Sequence, residues 1–87
     1  MKTLYFSGQA AMLSKRGDEI WENLCSAMPL DNLFSVTDCV GKLNTISRLT
    51  KRTQMMYIRA VIMNVFNEQT EADPVLKRHG REYWSFT

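Results

Sequence analysis

The chain has 87 residues, a formal net charge of +2, 45% hydrophobic residues and 23% charged residues. That length supports one domain, residues 1–87, burying roughly 60–65% of its unfolded surface, and the composition is that of a folded globular chain rather than a disordered tail. No apolar run approaches the roughly 20 residues that span a bilayer, and the start MKTLYFSG lacks the apolar centre of a signal peptide. The expectation is a cytoplasmic protein with no membrane partner.

Chemistry is bounded in the same way. Cys25 and Cys39 have no companion cysteine pair, and with the lone His79 they are too few for a zinc site. They read as reduced, small, buried hydrophobes. There is no Gly-rich phosphate loop and no Ser/His/Asp set that the sequence places together, so no enzyme and no cofactor are expected.

Charge is distributed unevenly. Residues 17–38 hold five acids (Asp18, Glu19, Glu22, Asp31, Asp38) and no Lys or Arg. Residues 39–67 hold five bases (Lys42, Arg48, Lys51, Arg52, Arg59) and no acid, and Lys77, Arg78 and Arg81 cluster near the end. Two readings stand: one electropositive side that favours an anionic partner, or acidic and basic segments that pair with each other.

In chain order, residues 1–6 have strand-like composition, and Ser7 caps a short helix ending at Lys15-Arg16-Gly17. Residues 1–17 are thus an arm or an extra helix. The alternative is one helix continuing through Gly17, since a single Gly costs only about 1 kcal/mol against Ala. Residues 18–28 form an amphipathic helix with Ile20, Trp21, Leu24, Ala27 and Met28 on one side and Asp18 and Glu19 in its first turn; Pro29 stops it. Residues 30–33 are a turn and 34–36 a short extended piece. Ser35-Val36-Thr37-Asp38 has capping-box spacing, with Thr37 a second cap candidate. The helix over about 37–43 turns Val36, Cys39, Val40 and Leu43 inward, with Gly41 easing close packing or a turn, and residues 44–49 connect onward.

Residues 50–66, TKRTQMMYIRAVIMNVF, have the cleanest helical period of the chain. Met55, Ile58, Ile62 and Val65, widened by Val61 and Phe66, make one apolar face. Arg52, Thr53, Met56, Tyr57, Arg59 and Asn64 lie opposite. Thr50 is the N-cap. Lys51 and Arg52 in the first turn oppose the helix dipole, at about 0.3–1 kcal/mol each, which is tolerated at many surfaces and is useful where a phosphate sits at that end. Residues 67–74 are a loop. Residues 75–86 form a hairpin around a His79-Gly80 turn, in a register placing Lys77 opposite Glu82 and Val75 opposite Trp84, with Trp84 and Phe86 on one face.

Helix, extended piece, helix, longer helix and basic hairpin together resemble the winged helix-turn-helix superfamily. The resemblance rests on FSVTDCVGKL as scaffold helix, LTKRTQMMYIRAVIMNVF as recognition helix and VLKRHGREYWSF as wing. The ending GREYWSF after a basic tip is similar to the small fimbrial phase-variation regulators of enteric bacteria. The connector 44–49 is longer than a tight helix-turn-helix turn of three or four residues.

The resemblance implies an α+β, mainly helical fold of three or four helices with a C-terminal β-hairpin wing, and a small bacterial or phage-like transcription regulator that binds double-stranded DNA. Its recognition helix, about 50–67, would lie in the major groove and its wing, 75–86, would touch the backbone. Arg48, Lys51, Arg52 and Arg59 would meet phosphates or guanine edges, Thr53, Gln54 and Tyr57 would offer hydrogen bonds, and Lys77, Arg78, His79 and Arg81 would contact phosphate from the wing. One such module binds weakly, so a homodimer or a second regulatory protein is expected. Each feature has a plainer reading. Arg52 and Arg59 also suit a solvated helix face, the basic tip suits a hairpin that discourages edge pairing, and His79 suits a turn. Outward Met56, Tyr57 and Met63 suit an alternative, a protein-interaction module that binds another regulator or host protein on the same scaffold.

Overall fold

The computed structural model describes residues 11–87, and the side chains from residue 16 onward. The strand-like start and the Ser7 cap lie outside the described residues. Among the described residues the order is α1 (Ala11–Ala27), α2 (Val36–Cys39), a 3-10 turn (Asn44–Ile46), α3 (Lys51–Glu68), β1 (Leu76–His79) and β2 (Tyr83–Phe86). The described residues form an α+β fold, with three α-helices and one antiparallel hairpin at the C-terminal end.

Helix α1 runs through Gly17 without a break. Gly17, Ile20, Trp21, Leu24 and Met28 fall at helical spacing on one stripe, and all are buried. The stripe includes Gly17 itself, so burial of this face from Gly17 onward outweighs a propensity cost of about 1 kcal/mol. Residues 11–17 are therefore the first turns of α1, not a separate arm or helix. Asp18 and Glu19 sit mid-helix, away from the dipole end that the sequence assigned them.

Asp31, at φ 67, turns the chain after α1. Phe34 then meets β2 in a two-bond antiparallel bridge: its N–H donates to the Trp84 carbonyl at 2.8 Å and its carbonyl accepts from the Trp84 N–H at 2.8 Å. Ser35 caps α2 as its spacing predicts. Its hydroxyl accepts from the Asp38 N–H at 3.2 Å, and the Asp38 carboxylate accepts from the Ser35 N–H at 3.0 Å. Thr37 is interior to α2, not a cap.

Helix α2 is only four residues long, shorter than the expected 37–43. Val40 leaves the helix in an extended conformation, and Gly41, at φ 84, completes a turn closed by the Lys42 N–H donating to the Cys39 carbonyl at 3.0 Å. The connector is not irregular either. Its 3-10 turn drives Ile46 into the core, 1% exposed.

Thr50 caps α3, its hydroxyl accepting from the Thr53 N–H at 3.2 Å. Ile58, Val61, Ile62 and Val65 are fully buried and form the floor of the core with α1. Phe66 is half-buried and packs against them. Met55 is half-buried and outside the core cluster; Gln54 is the buried residue at that end of the helix.

The hairpin register differs from the expected one. Leu76 pairs with Phe86, Lys77 with Ser85, Arg78 with Trp84 and His79 with Tyr83. The connection is Gly80-Arg81-Glu82, with Gly80 at φ 79, a three-residue loop rather than a two-residue turn. This register puts Leu76, Trp84 and Phe86 on the core face together. Phe66 meets the Trp84 ring edge-on at 5.2 Å, and Phe86 packs on Phe34 at 5.3 Å and Trp21 at 5.7 Å. A slip by an odd number of residues would put Leu76 on the face opposite Trp84 and Phe86, so their shared burial, not turn chemistry, selects the pairing.

Candidate nucleic-acid interface

The outward surface of α3 follows from the burial of its inner one. At about 100° per residue, Arg52, Met56, Arg59 and Met63 line up as one ridge opposite the buried stripe. Arg52, Met56 and Arg59 are exposed, Met56 by 57%. Met63 is half-buried and packs against the core.

A groove of about 340 Å³ opens beside this ridge, between α3, the start of α2 and the hairpin tip. Ile62, Met63, Val36 and Trp84 contribute apolar lining, while Arg59 from α3 and Arg78 and Arg81 from the hairpin contribute guanidinium groups. Glu82 is the one acid in the lining. Arg78 is fixed in place. Its guanidinium carbon stands 5.1 Å from the Trp84 ring centroid, and its Nε donates to the Gly80 carbonyl at 3.1 Å. A cation over an indole face gains about 0.5–2 kcal/mol. Arg78 thus braces the tip while leaving its charge on the groove wall.

The other expected residues divide. Lys51 is exposed at the start of α3. The Thr53 hydroxyl accepts from the Thr50 hydroxyl at 2.9 Å and so belongs to the cap. Lys77 and His79 alternate with Arg78 along β1 and lie on the opposite sheet face, away from the groove. The His79 Nε2 is 2.8 Å from the Ser85 Oγ, which ties it across the hairpin. Tyr57 is half-buried and points away from the ridge; its ring carries the Arg16 guanidinium 5.6 Å from its centroid. Met56, Tyr57 and Met63 therefore do not make one patch.

Arg48 opens onto a second pocket, of about 410 Å³, shared with Arg16, Asn44, Thr45 and Ser47. Arg16 could not be placed at this site from sequence, because its neighbours are set by tertiary packing. The Thr45 N–H donates to Asn23 Oδ1 at 3.1 Å, which ties the 3-10 turn to α1 and brings Arg16 and Arg48 to one place.

Gln54 is not a surface hydrogen-bonding group. It is 5% exposed. Its Oε1 accepts from the Gly41 N–H at 2.9 Å, and its Nε2 donates to the Leu49 carbonyl at 2.8 Å. It holds the chain before α3 to the turn after α2. Its place toward the side of the α3 apolar face was the available signal.

Cys39 is buried as expected, whereas Cys25 is exposed rather than buried. Burial first, then the Asp38 carboxylate, pushes Cys39 up to about 12 against a weaker opposing effect of Lys42. Its Sγ donates to the Ser35 carbonyl at 3.3 Å. Desolvation, then Glu22, also raises Cys25. Among the described residues no cluster of three potential metal ligands occurs, and no helix is long and apolar enough to cross a membrane.

No protein-family model matches this chain, and no curated protein or solved structure matches it.

Proposed function

We propose that this chain is a small DNA-binding regulator with a winged-helix layout, α3 serving as recognition helix and the β1–β2 hairpin as wing. The observation that carries the reading is the groove in which Arg59 of α3 meets Arg78 and Arg81 of the hairpin. Bases from two separate elements border one cleft beside an exposed, arginine-bearing helix ridge. A phosphodiester backbone running past the ridge gives those charges a partner. The bridge from Phe34 to β2 supports the layout, since it pairs one residue between α1 and α2 with the hairpin.

In this reading Arg52 and Arg59 reach base edges or phosphates from the ridge, and Arg81 touches the backbone from the tip. Lys77 and His79 lie off this surface. A homodimer or a second regulatory protein would supply the remaining affinity.

The test is titration into random and genomic duplex at two salt concentrations. Binding that weakens steeply with salt supports the reading. Absence of binding at low salt, or affinity indifferent to salt, refutes it.

Met56 favours a second reading, a protein-interaction module, because a large apolar side chain stands exposed at the centre of the ridge. Met56→Lys separates the two. An added cation on the ridge strengthens DNA binding, whereas it abolishes docking of an apolar partner surface.

A further inference from the structure

Two basic pockets flank α3, one on each side of its ridge. Arg59 stands at one edge of the ridge and Tyr57 lies beyond its other edge: two residues apart in sequence, they are about 160° apart around the axis. The Arg59 flank faces the groove shared with Arg78 and Arg81. The Tyr57 flank lies under Arg16, which with Arg48, Asn44, Thr45 and Ser47 lines the second pocket.

From this placement we infer that the Arg16–Arg48 pocket is a second phosphate site, so that the chain grips both strands of one duplex across α3. The inference rests on the DNA-binding reading. A helix with its side chains is about 10–12 Å across, and a major groove is about 12 Å wide, so the two backbones that wall the groove stand against the two flanks of an inserted helix. Arg59 and Arg81 then meet one strand, and Arg16 and Arg48 the other.

The second pocket has the right chemistry for a phosphate. It joins two guanidinium groups from distant parts of the sequence to hydroxyl and amide side chains, and its lining contains no acid. The Ser47 hydroxyl already donates to the Asn44 carbonyl at 3.1 Å. The groups left to an anion are the two guanidinium ions, the Thr45 hydroxyl and the Asn44 amide. Tyr57 supports Arg16 from below, which limits the rotamer freedom that a phosphate contact would otherwise have to freeze. A single-walled contact would leave this basic pocket without a role in binding.

The test compares the full chain with Arg16→Gln/Arg48→Gln and Arg59→Gln/Arg81→Gln variants, each titrated with a short random-sequence duplex from 50 to 200 mM salt. Each pair is expected to lower the slope of log affinity against log salt by about one to two. The affinity lost across that range then shrinks by about 3- to 12-fold. Arg48→Gln alone, which leaves Arg16 on Tyr57, must also lower the slope and keeps the test valid where the double variant melts early. An unchanged slope for Arg48→Gln and for the folded Arg16/Arg48 pair, beside a reduced slope for the Arg59/Arg81 pair, overturns the two-strand grip and leaves DNA binding intact. A wild-type chain that does not bind duplex removes both.

Discussion

Replacing Gln54 with Ala tests whether the corner before α3 is held by one side chain. The wild-type amide satisfies the Gly41 N–H at 2.9 Å and the Leu49 carbonyl at 2.8 Å while being 5% exposed. Truncation leaves one donor and one acceptor of the main chain without that partner. Each orphaned group costs about 1–3 kcal/mol, and the partly buried setting of both bonds puts the sum near the low end, about 2–4 kcal/mol. For a domain this size each kcal/mol lowers Tm by about 4–8 °C, so Tm falls by about 8–30 °C in a thermal melt followed by circular dichroism. Gln54→Glu sharpens the test. The carboxylate still accepts from Gly41 but meets the Leu49 carbonyl without a proton to offer. Burial and that carbonyl raise its pKa, so the folded state favours the protonated form. The variant is then closest to wild type at acidic pH and loses stability, relative to wild type, as pH rises through the carboxyl range. An alanine variant that melts within 2 °C of wild type, or a glutamate variant whose deficit is the same at pH 4 and pH 7, refutes the clamp.

Gln69→Ala acts on the hairpin. Gln69 Oε1 accepts from the Val75 and Leu76 N–H groups, each at 2.9 Å, and its Nε2 donates to the Leu76 carbonyl at 2.9 Å; the variant should speed amide exchange in β1 well before that of α3. Gly41→Ala meets no atom within 4 Å of the added carbon but must hold φ at 84, a backbone cost of about 1–2 kcal/mol in a denaturant melt. Cys25 is exposed and Cys39 buried, so a thiol reagent should label Cys25 in the native protein and Cys39 only on unfolding. Because Cys39 is raised to about 12, the unfolded thiol ionises first as pH climbs past 9. Native stability therefore holds below that pH and is lost from there toward 12, and Cys39→Ala should flatten this alkaline fall.

Local signals proved the most legible. The Ser35 and Thr50 caps, the apolar stripe of α3 from Ile58 onward and the shared face of Trp84 and Phe86 all involve residues within about two turns or one strand of each other, and the structure contains each of them. What the sequence hid depends on partners far along the chain. Gly17 reads as a stop until its stripe is seen to bury against α3. His79-Gly80 reads as a two-residue turn until Phe34, thirteen residues after Trp21, is seen to hold Phe86 and Trp84 in another register. The site divides in the same way. Sequence marks which residues are basic, but strand alternation decides that Arg78 faces the groove while Lys77 and His79 face away.

These long-range contacts also determine how firmly the proposed binding surface is built. The ridge of α3 is anchored at its start by Gln54 and Thr50. At its far end Gln69 ties the helix to β1, which carries Arg78. Arg78 in turn spans from Trp84 to the turn that presents Arg81. Arg59 and Arg81 are therefore spaced by a chain of buried or hydrogen-bonded groups, not by flexible loops alone. A pre-set spacing reduces the ordering cost of binding. It follows that Gln69→Ala, which removes no charge, should weaken duplex binding through the looser tip while leaving the salt slope as it is. A slope reduced as much as by Arg81→Gln would mean instead that the tip loses its phosphate contact altogether when the splint is cut.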